Sequence, residues 1–263
     1  MNALPDDILS VAITAAQTAG AATMKYFRSA SLIIEEKNDR SPVTAADKES
    51  ERIIRSIIQR HYPHHGIMGE EFGESIGDSP IRWIIDPLDG TKSFVRNSPF
   101  YGVLIGIERE GEIEAGVAYM PALKETYSAR KGSGSFCGAS RLQVSDVSRL
   151  NDSSFIITSS SDALADPDKR GGYLAIQKRA RRQRGVGDCY GHLLVAAGRM
   201  EIMLDARMQP WDCAALKIIV EEAGGSFTDW NGNVTIDGCS AVSVNAALRE
   251  EVFSYLRAHE AVM

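Results

Sequence analysis

Four short acidic clusters are the parts of this sequence best suited to do chemistry. They are Asp86-Pro87-Leu88-Asp89-Gly90-Thr91, Gly69-Glu70-Glu71, Trp211-Asp212 and Thr44-Ala45-Ala46-Asp47. In the first cluster an apolar stretch ends at Asp86, and Asp89 follows three residues later. A tight turn of this kind can direct both carboxylates and the Leu88 carbonyl into one small volume. Such oxygens are the ligands that hard cations such as Mg²⁺ select, and the Gly90 and Thr91 amides could bind a phosphate.

Each cluster also has an ordinary structural interpretation. Asp-x-x-Asp-Gly is frequent in turns, and Glu70 and Glu71 could form a solvated loop. Asp212 could be the N-cap of the helix that it opens, and Asp47 could be the third residue of a capping box begun by Thr44. Both interpretations stay open, because a carboxylate at a helix N-terminus is already held in one orientation, which a metal site needs.

The elements that must position these clusters mix helices and strands. Hairpins dominate the first half, and helices alternate with strands in the second, so the predicted class is α/β. The change near residue 150 predicts residues 1–148, with most of the acidic clusters, and residues 149–263, with Asp212, as two halves of one compact unit. The patterns predict helices near 8–19, 44–61, 173–182, 193–197, 212–223 and 246–258, and strands near 82–86, 101–108, 112–120, 153–158, 201–204 and 241–244.

Composition limits the possible functions. The chain has 263 residues with 29 basic and 35 acidic side chains, a net charge of −6. That balance argues against nucleic-acid binding but not against a small phosphorylated substrate, because bound cations can supply the positive field. The four cysteines form no Cys-x-x-Cys pair and favour a cytoplasmic protein. No targeting segment or 18-residue apolar run is present, so no membrane association is expected.

Together the clusters resemble the motifs of the inositol monophosphatase family of Mg²⁺-dependent phosphatases. The first family signature is similar to Trp83-Ile84-Ile85-Asp86-Pro87-Leu88-Asp89-Gly90-Thr91-Lys92-Ser93-Phe94. The second is similar to Trp211-Asp212-Cys213-Ala214-Ala215-Leu216, continuing through Glu221-Glu222-Ala223-Gly224-Gly225. The other two clusters stand in the expected order, and the resemblance covers nearly the whole chain. Four ordered motifs are far more specific than any one of them.

This resemblance implies a layered α/β/α/β/α fold, a homodimer and two to three Mg²⁺ ions in each active site. It implies that Glu70, Asp86 and the Leu88 carbonyl bind one ion. Asp86, Asp89 and Asp212 would bind a second, and Glu70 and water molecules would share a weaker third.

The resemblance also implies catalytic and substrate-binding roles. Thr91 and Asp47 would orient the attacking water on the first metal, with Glu70 as the third member of this catalytic set. Attack would be in line, without a phosphoenzyme. Gly90 and Thr91 would contact the phosphate. Lys37 matches a lysine near the metal site of the family, although it could equally be a surface lysine.

Two features point to the family's histidinol-phosphate phosphatases. Ser93 stands where inositol phosphatases more often have asparagine, and residues 185–192 resemble a Gly-Asp-x-Tyr element of the histidinol-phosphate enzymes. Asp188 in that element could bind the substrate ammonium group, or it could be a helix N-cap. Within the same element, a helical His192 is more often structural, and Tyr190 could either stack on a substrate or pack.

The basic run that precedes this element has two interpretations. Its residues are Lys178, Arg179, Arg181, Arg182 and Arg184. A solvated helix face is expected, although Arg184 could face a substrate phosphate in its own chain or across a dimer interface.

The favoured function is therefore Mg²⁺-dependent hydrolysis of L-histidinol phosphate to L-histidinol and phosphate. The first alternative is an inositol or broad-specificity sugar monophosphatase on the same scaffold. The second is a catalytically silent binding or scaffold module. The intact acidic set argues against that module, because burying so many carboxylates without cations is costly.

Overall fold

The computed structural model describes residues 4–29, 34–36 and 42–257. Its helices are α1 (Ile8–Thr23), α2 (Ala45–His61), α3 (Thr91–Val95), α4 (Ser160–Ala165), α5 (Pro167–Arg179), α6 (Asp188–Ala196), α7 (Pro210–Glu222) and α8 (Arg249–Arg257). Its strands are β1 (Ile34–Glu36), β2 (Pro42–Thr44), β3 (Gly66–Gly69), β4 (Gly73–Ser75), β5 (Ile81–Asp89), β6 (Gly102–Arg109), β7 (Glu112–Met120), β8 (Glu125–Arg130), β9 (Gly134–Cys137), β10 (Ser140–Arg141), β11 (Ser154–Ile157), β12 (Arg182–Arg184), β13 (Ile202–Asp205), β14 (Gly225–Thr228) and β15 (Ala241–Asn245). Short 3₁₀ turns span Leu150–Asp152 and Ala246–Leu248.

Helices and sheets alternate in layers. Helices α1 and α2 pack on the outer face of a sheet with the strand order β10-β9-β8-β7-β6-β5-β3-β4. Helices α6 and α7 lie between that sheet and a second one, β12-β11-β13-β15-β14. Helices α5 and α8 cover the outer face of the second sheet. The predicted α/β/α/β/α architecture is therefore confirmed.

Burial on both faces explains the apolar run that leads to the first acidic cluster. Along β5 the side chains from Trp83 to Leu88 are buried one after another, whereas a half-exposed strand would bury every second side chain. Such continuous burial is expected where helices cover both faces of a sheet. The run therefore marks β5 as a central strand that delivers Asp86 from the interior.

Two glycines let α7 lie directly on the first sheet. Gly106 on β6 and Gly116 on β7 are cross-strand partners. A Cβ at Gly106 would lie 3.1 Å from the carbonyl carbon of Ala214, and a Cβ at Gly116 would lie 2.9 Å from the carbonyl oxygen of Ala215. Because Asp212 lies two residues before Ala214, this close approach sets the depth at which α7 presents its first turn to β5.

Several predicted elements are confirmed with small shifts in their bounds. Helix α2 begins directly after Thr44, which is its N-cap, and Asp47 completes the predicted capping box. Helix α7 is followed by Gly224 at φ +88°, a left-handed position that favours glycine at a helix C-terminus. The predicted terminal helix is split into the 3₁₀ turn and α8, and Ala258 lies outside the described residues.

Two predictions about local structure were wrong. The segment from Asp86 to Thr91 is not a tight turn: β5 continues to Asp89, with a shift of register between Asp86 and Asp89, because Asp89 still pairs with Gly102 on β6. The basic run is not one helix face either, because α5 ends at Arg179 and β12 follows. Strand β12 is an edge strand paired only with β11, so its charged side chains stay exposed, as is common at a sheet edge.

The two sheets use separate parts of the chain. The first contains strands between residues 66 and 141, and the second contains strands between residues 154 and 245. We keep the division into residues 1–148 and 149–263 as a proposal about two halves of one unit, since α7 of the second half packs on the sheet of the first. No helix among the described residues is both long and apolar enough to cross a bilayer.

Candidate active site

The end of β5 forms the floor of the site. Asp86 is buried, and its Oδ1 accepts a hydrogen bond from the Leu88 amide at 2.9 Å. The carbonyl of Pro87 accepts a bond from Ser50 Oγ on α2 at 2.7 Å. These contacts fix the irregular end of the strand, so the carboxylate of Asp86 and the residues that follow it have one arrangement.

Asp212 reaches this floor from the first turn of α7. It is not the N-cap: Gln209 is, and Asp212 stands at the third helical position, where its Oδ2 accepts from the Gln209 amide at 2.7 Å. Asp86, Asp89 and Asp212 each offer a carboxylate oxygen, and these three oxygens lie within 4.8 Å of one another. The structure thus brings together three of the predicted metal ligands, from positions 126 residues apart along the chain.

The electrostatics of this cluster favour a bound cation. Burial raises the pKa of Asp86 and of Asp89 well above the usual range, and neighbouring carboxylates add to both shifts. Burial likewise raises the pKa of Asp212 to about 6. Carboxylates held this close resist ionisation together unless a positive charge compensates them. The donor set, all oxygen, fits a hard divalent cation.

Glu70 stands near the cluster on the connection between β3 and β4. Its amide donates to the Ile85 carbonyl at 3.2 Å, which ties the connection to β5. The charge of Glu70 contributes to raising the pKa of Asp47, Asp86 and Asp212. It is therefore close enough to contribute to the same field.

Thr91 and Asp47 form a hydrogen-bonded pair beside the metal-ligand candidates. Asp47 is fully buried, and its Oδ2 accepts from the amide and the hydroxyl of Thr44 at 2.8 and 2.6 Å. The Thr91 hydroxyl lies 3.0 Å from Asp47 Oδ1 and 3.1 Å from the Leu88 carbonyl oxygen, with one proton to donate. Burial raises the pKa of Asp47, although bonds from Thr44 and Thr91 oppose the shift.

Gly90 lies where the end of β5 closely approaches Asp188 at the start of α6. Its φ is +81°, and it directly precedes α3. A Cβ at this position would lie 3.0 Å from the Phe100 carbonyl oxygen and 3.1 Å from Asp188 Oδ2. Both the left-handed backbone and the lack of space explain the glycine. Its amide and that of Thr91 lie at the turn from β5 into α3.

Asp188 occupies the opposite side of that approach. Gly187 is the N-cap of α6, so the N-cap interpretation of Asp188 was wrong. Asp188 has φ +55°, its amide donates to Thr158 Oγ1 at 3.1 Å, and its Oδ2 accepts from Ser93 Oγ at 3.0 Å. Burial raises its pKa, while Ser93 and Lys92 oppose the shift.

The start of α6 is tied to the acidic cluster as well. The amide of Cys189 donates to Asp89 Oδ2 at 2.7 Å, across 100 residues of chain. Asp205, near the end of β13, is buried and accepts from Thr158 Oγ1 at 2.6 Å, and burial raises its pKa to about 7. Thr158 thus connects Asp205 to the backbone of Asp188.

The remaining sequence candidates have simpler surroundings. Arg184 is exposed on β12, and its guanidinium donates to the Gln183 carbonyl at 2.9 Å. Lys37 lies outside the described residues. The structural interpretation of His192 is confirmed: it is fully buried, its Nδ1 is 2.7 Å from Ser243 Oγ, and burial lowers its pKa to about 3. Tyr190 packs on Phe100 with ring centroids 5.2 Å apart.

Sequence reasoning missed two buried polar residues of α2. Ser50 holds the Pro87 carbonyl, and Glu51 accepts backbone amides of the connection that carries Glu70. A signal was available, because these residues share a helix face with Asp47, Ile54 and Ile58, at spacings of three and four. Polar residues on an otherwise apolar face indicate that this face meets backbone or a site.

The chain belongs to the inositol monophosphatase family, whose family model matches residues 4–261. A histidinol-phosphatase from Chlorobaculum parvum is 44% identical over 241 residues, which cover 91% of this chain and 93% of that protein. A second histidinol-phosphatase, from Streptomyces coelicolor, is 38% identical and covers 96% of this chain and 98% of its own. The crystal structure of the extragenic suppressor protein suhB from Bartonella henselae superposes with a TM-score of 0.89 at 31% identity, covering 96% and 99% of the two chains.

Family and relatives agree on the reaction class. The chain is a phosphoric monoester hydrolase, so the prediction of an enzyme is confirmed and the silent scaffold is rejected. The family is generally metal-dependent, and the cluster of Asp86, Asp89 and Asp212 could hold a metal. A small phosphorylated substrate is consistent with this class.

Proposed function

We propose that this chain hydrolyses L-histidinol phosphate to L-histidinol and phosphate with the help of two to three Mg²⁺ ions. The observation that carries the choice of substrate is the hydrogen bond from Ser93 to Asp188. These are the two residues by which the sequence departs from the inositol-phosphatase pattern, and they are in direct contact. The names of the relatives from Chlorobaculum parvum and Streptomyces coelicolor support the same substrate.

Asp188 supplies the chemistry that distinguishes the two substrates. Besides its phosphate, L-histidinol phosphate has an ammonium group and an imidazole, whereas inositol phosphate has only hydroxyl groups. A carboxylate oriented by Ser93 and by the Thr158 contact to its amide is a suitable partner for a cation. Its oxygen stands beside Gly90, where the phosphate is proposed to bind. One substrate could therefore reach both groups.

In the proposed metal site, Glu70, Asp86 and the Leu88 carbonyl would hold one ion, and Asp86, Asp89 and Asp212 would hold another. Glu70 and water molecules would share a third, more weakly bound ion. Mg²⁺ in these places would lower the pKa of a bound water and stabilise the leaving oxygen.

The other residues have positioning roles in the proposal. The hydroxyl of Thr91, held by Asp47 at 3.0 Å, orients the attacking water for in-line displacement. The Gly90 and Thr91 amides bind the phosphate. Lys37 and Arg184 contribute positive charge near it, a role that rests on the sequence alone. A homodimer, supported by the family resemblance, and a cytoplasmic location, supported by cysteines without disulfides among the described residues, complete the proposal.

The substrate is tested by comparing kcat/KM for L-histidinol phosphate and inositol 1-phosphate, and then by Asp188→Asn. Asparagine tolerates the left-handed backbone of this position, so the variant removes charge and little else. We expect kcat/KM for L-histidinol phosphate to fall. The loss should correspond to roughly 1.5 to 3 kcal/mol of transition-state stabilisation, the value of a hydrogen bond to a charged group.

Turnover of p-nitrophenyl phosphate, which has no ammonium group, is the matched control and should be largely retained. Equal losses on both substrates would show that Asp188 shapes the site without selecting. A wild-type preference for inositol 1-phosphate would favour the inositol or broad-specificity alternative.

A further inference from the structure

Glu51 is a buried carboxylate on α2 to which the proposed mechanism gives no role. Its side chain is completely shielded from solvent, and it forms an ion pair with Arg55, whose Nε is 2.7 Å from Glu51 Oε1. Its two oxygens also accept the amides of Glu71 at 2.7 Å and Phe72 at 3.3 Å. Both amides belong to residues that directly follow Glu70 on the connection between β3 and β4.

The same carboxylate also packs closely against the residue before Glu70. A Cβ added to Gly69 would lie only 2.6 Å from Glu51 Cδ, so glycine at this position leaves room for the Glu51 side chain. Arg55 extends the contact along the connection, because its guanidinium donates to the Gly73 carbonyl and to Ser75 Oγ. Glu51 thus packs against the backbone before Glu70, and Glu51 and Arg55 hydrogen-bond to the backbone after it.

These contacts are expensive if they serve stability alone. Burying an ion pair is often no more stabilising than burying well-packed apolar residues of similar volume. A carboxylate does provide what an apolar residue cannot, which is a charged acceptor for two successive backbone N–H groups. Its effect is to specify one path for the backbone that carries Glu70.

We infer that Glu51 is a positioning residue, which holds the Glu70 connection in the geometry that binds the metal and so sets metal affinity. This inference rests on the proposed role of Glu70 as a metal ligand. Glu51 acts through the backbone and does not touch the substrate. It should therefore affect how tightly the metal binds more than how fast the fully loaded enzyme turns over.

The test is Glu51→Gln, with Mg²⁺ binding to the substrate-free protein measured by isothermal titration calorimetry. We expect about tenfold weaker binding, as is typical when a partner of a metal ligand is lost. At saturating Mg²⁺, kcat should stay within about twofold of wild type, since the ligands and the water-orienting pair are unchanged. Arg55→Lys, which keeps the charge but loses the guanidinium bonds, should give a smaller shift and covers the case in which Glu51→Gln fails to fold.

Glu49→Gln is the matched control. Glu49 lies on the same helix and binds Tyr26 and Lys25, away from the Glu70 connection. The inference is overturned if folded Glu51→Gln and Arg55→Lys both bind Mg²⁺ as the wild type does, or if Glu49→Gln weakens binding equally.

Asp86→Asn, titrated in parallel, separates this inference from the proposed metal site. If Asp86→Asn loses binding while Glu51→Gln does not, only the positioning role fails. Unchanged binding in Asp86→Asn would overturn the metal assignment itself, and the inference with it.

Discussion

Two aspartates occupy the same position at the start of two helices and meet different neighbours. Asp47 on α2 and Asp212 on α7 each stand at the third helical position of a capping box. In each box a carboxylate oxygen accepts the N-cap amide, at 2.8 Å from Thr44 and at 2.7 Å from Gln209. Beyond the cap, Asp47 meets the Thr91 hydroxyl, whereas Asp212 meets the carboxylates of Asp86 and Asp89.

This difference separates what a local motif determines from what the fold determines. The capping box fixes the orientation of one oxygen in both helices. The surroundings of the carboxylate then differ: a hydrogen-bond donor faces Asp47, which fits its proposed role as an orienting group, and other carboxylates face Asp212, which fits its proposed role as a metal ligand. One local arrangement therefore serves both parts of the proposed chemistry.

Asp212→Asn should show the largest effect. An asparagine oxygen can still accept the Gln209 amide, so the helix start is preserved, but the cluster loses a negative charge that holds cations. We expect kcat/KM to fall by at least about a hundredfold, or roughly 2.7 kcal/mol, with Mg²⁺ half-saturation moving to higher concentration. Kinetics over a range of Mg²⁺ concentrations measure both quantities. A loss below about tenfold would contradict the ligand role.

Asp47→Asn should have a smaller effect of a different kind. The cap is again preserved, but an amide NH₂ facing Thr91 would reverse the hydrogen bond that orients its hydroxyl. The turnover number should fall by roughly ten- to a hundredfold, at or below the lower end of what a positioned proton acceptor contributes. Calorimetric Mg²⁺ affinity should stay near the wild-type value.

Thr91→Ala sharpens the test of this pair. Asp47→Asn and Thr91→Ala each disrupt the same hydrogen bond. The double variant should therefore lose little more activity than either single variant. Mg²⁺ affinity that collapsed in Asp47→Asn as it does in Asp212→Asn would remove the distinction between the two aspartates.

The smallest effect concerns stability against pH in metal-free protein. Burial raises the pKa of Asp212 to about 6, from an ordinary value of 3.8, so the folded chain binds its proton more tightly than the unfolded chain does. The stability from this proton is complete below about pH 4 and is lost as the pH rises through about 6.

Melting temperatures near pH 4.5 and 7.5, measured with a chelator present, test this. The melting temperature should fall less between pH 4.5 and pH 7.5 in Asp212→Asn than in the wild type. The difference should be roughly 2 to 4 °C for each kcal/mol of stability that the Asp212 proton contributes. Asp47→Asn should change the pH dependence less, and saturating Mg²⁺ at pH 7.5 should stabilise the wild type more than Asp212→Asn, because the variant is expected to bind cations more weakly. The prediction would be contradicted if the melting temperatures of Asp212→Asn and Asp47→Asn changed with pH in the same way.

The sequence predicted those parts of the site whose geometry is local. The capping box of Asp47 was predicted because its residues stand within four positions of one another. The oxygen cluster at the end of β5 depended on an apolar run that marks a central strand. The conformation of Asp188, in contrast, is held by Thr158 and Ser93, which lie 30 and 95 residues away. No local pattern specifies a backbone that distant side chains hold.

For the two buried polar residues of α2, the helix pattern could indicate that this face meets backbone or a site, but not which backbone groups it meets. Ser50 and Glu51 bind backbone groups of β5 and of the Glu70 connection, and a backbone group leaves no trace in the identity of the residue that provides it. The hairpin strands β8 to β10 were not predicted. Their sequences are short and mix polar with apolar residues as loops do, and they form strands by pairing with their neighbours in the sheet.

The seating of α7 on the first sheet has a consequence for how the protein is made. Asp212 is added to the growing chain only after about four-fifths of the 263 residues have been synthesised. The residues of β5 and α2, which include Asp86, Asp89 and Asp47, are made before that point, whereas α7, which packs against Gly106 and Gly116, is not yet complete. The full set of proposed metal ligands is therefore complete only in the last fifth of translation.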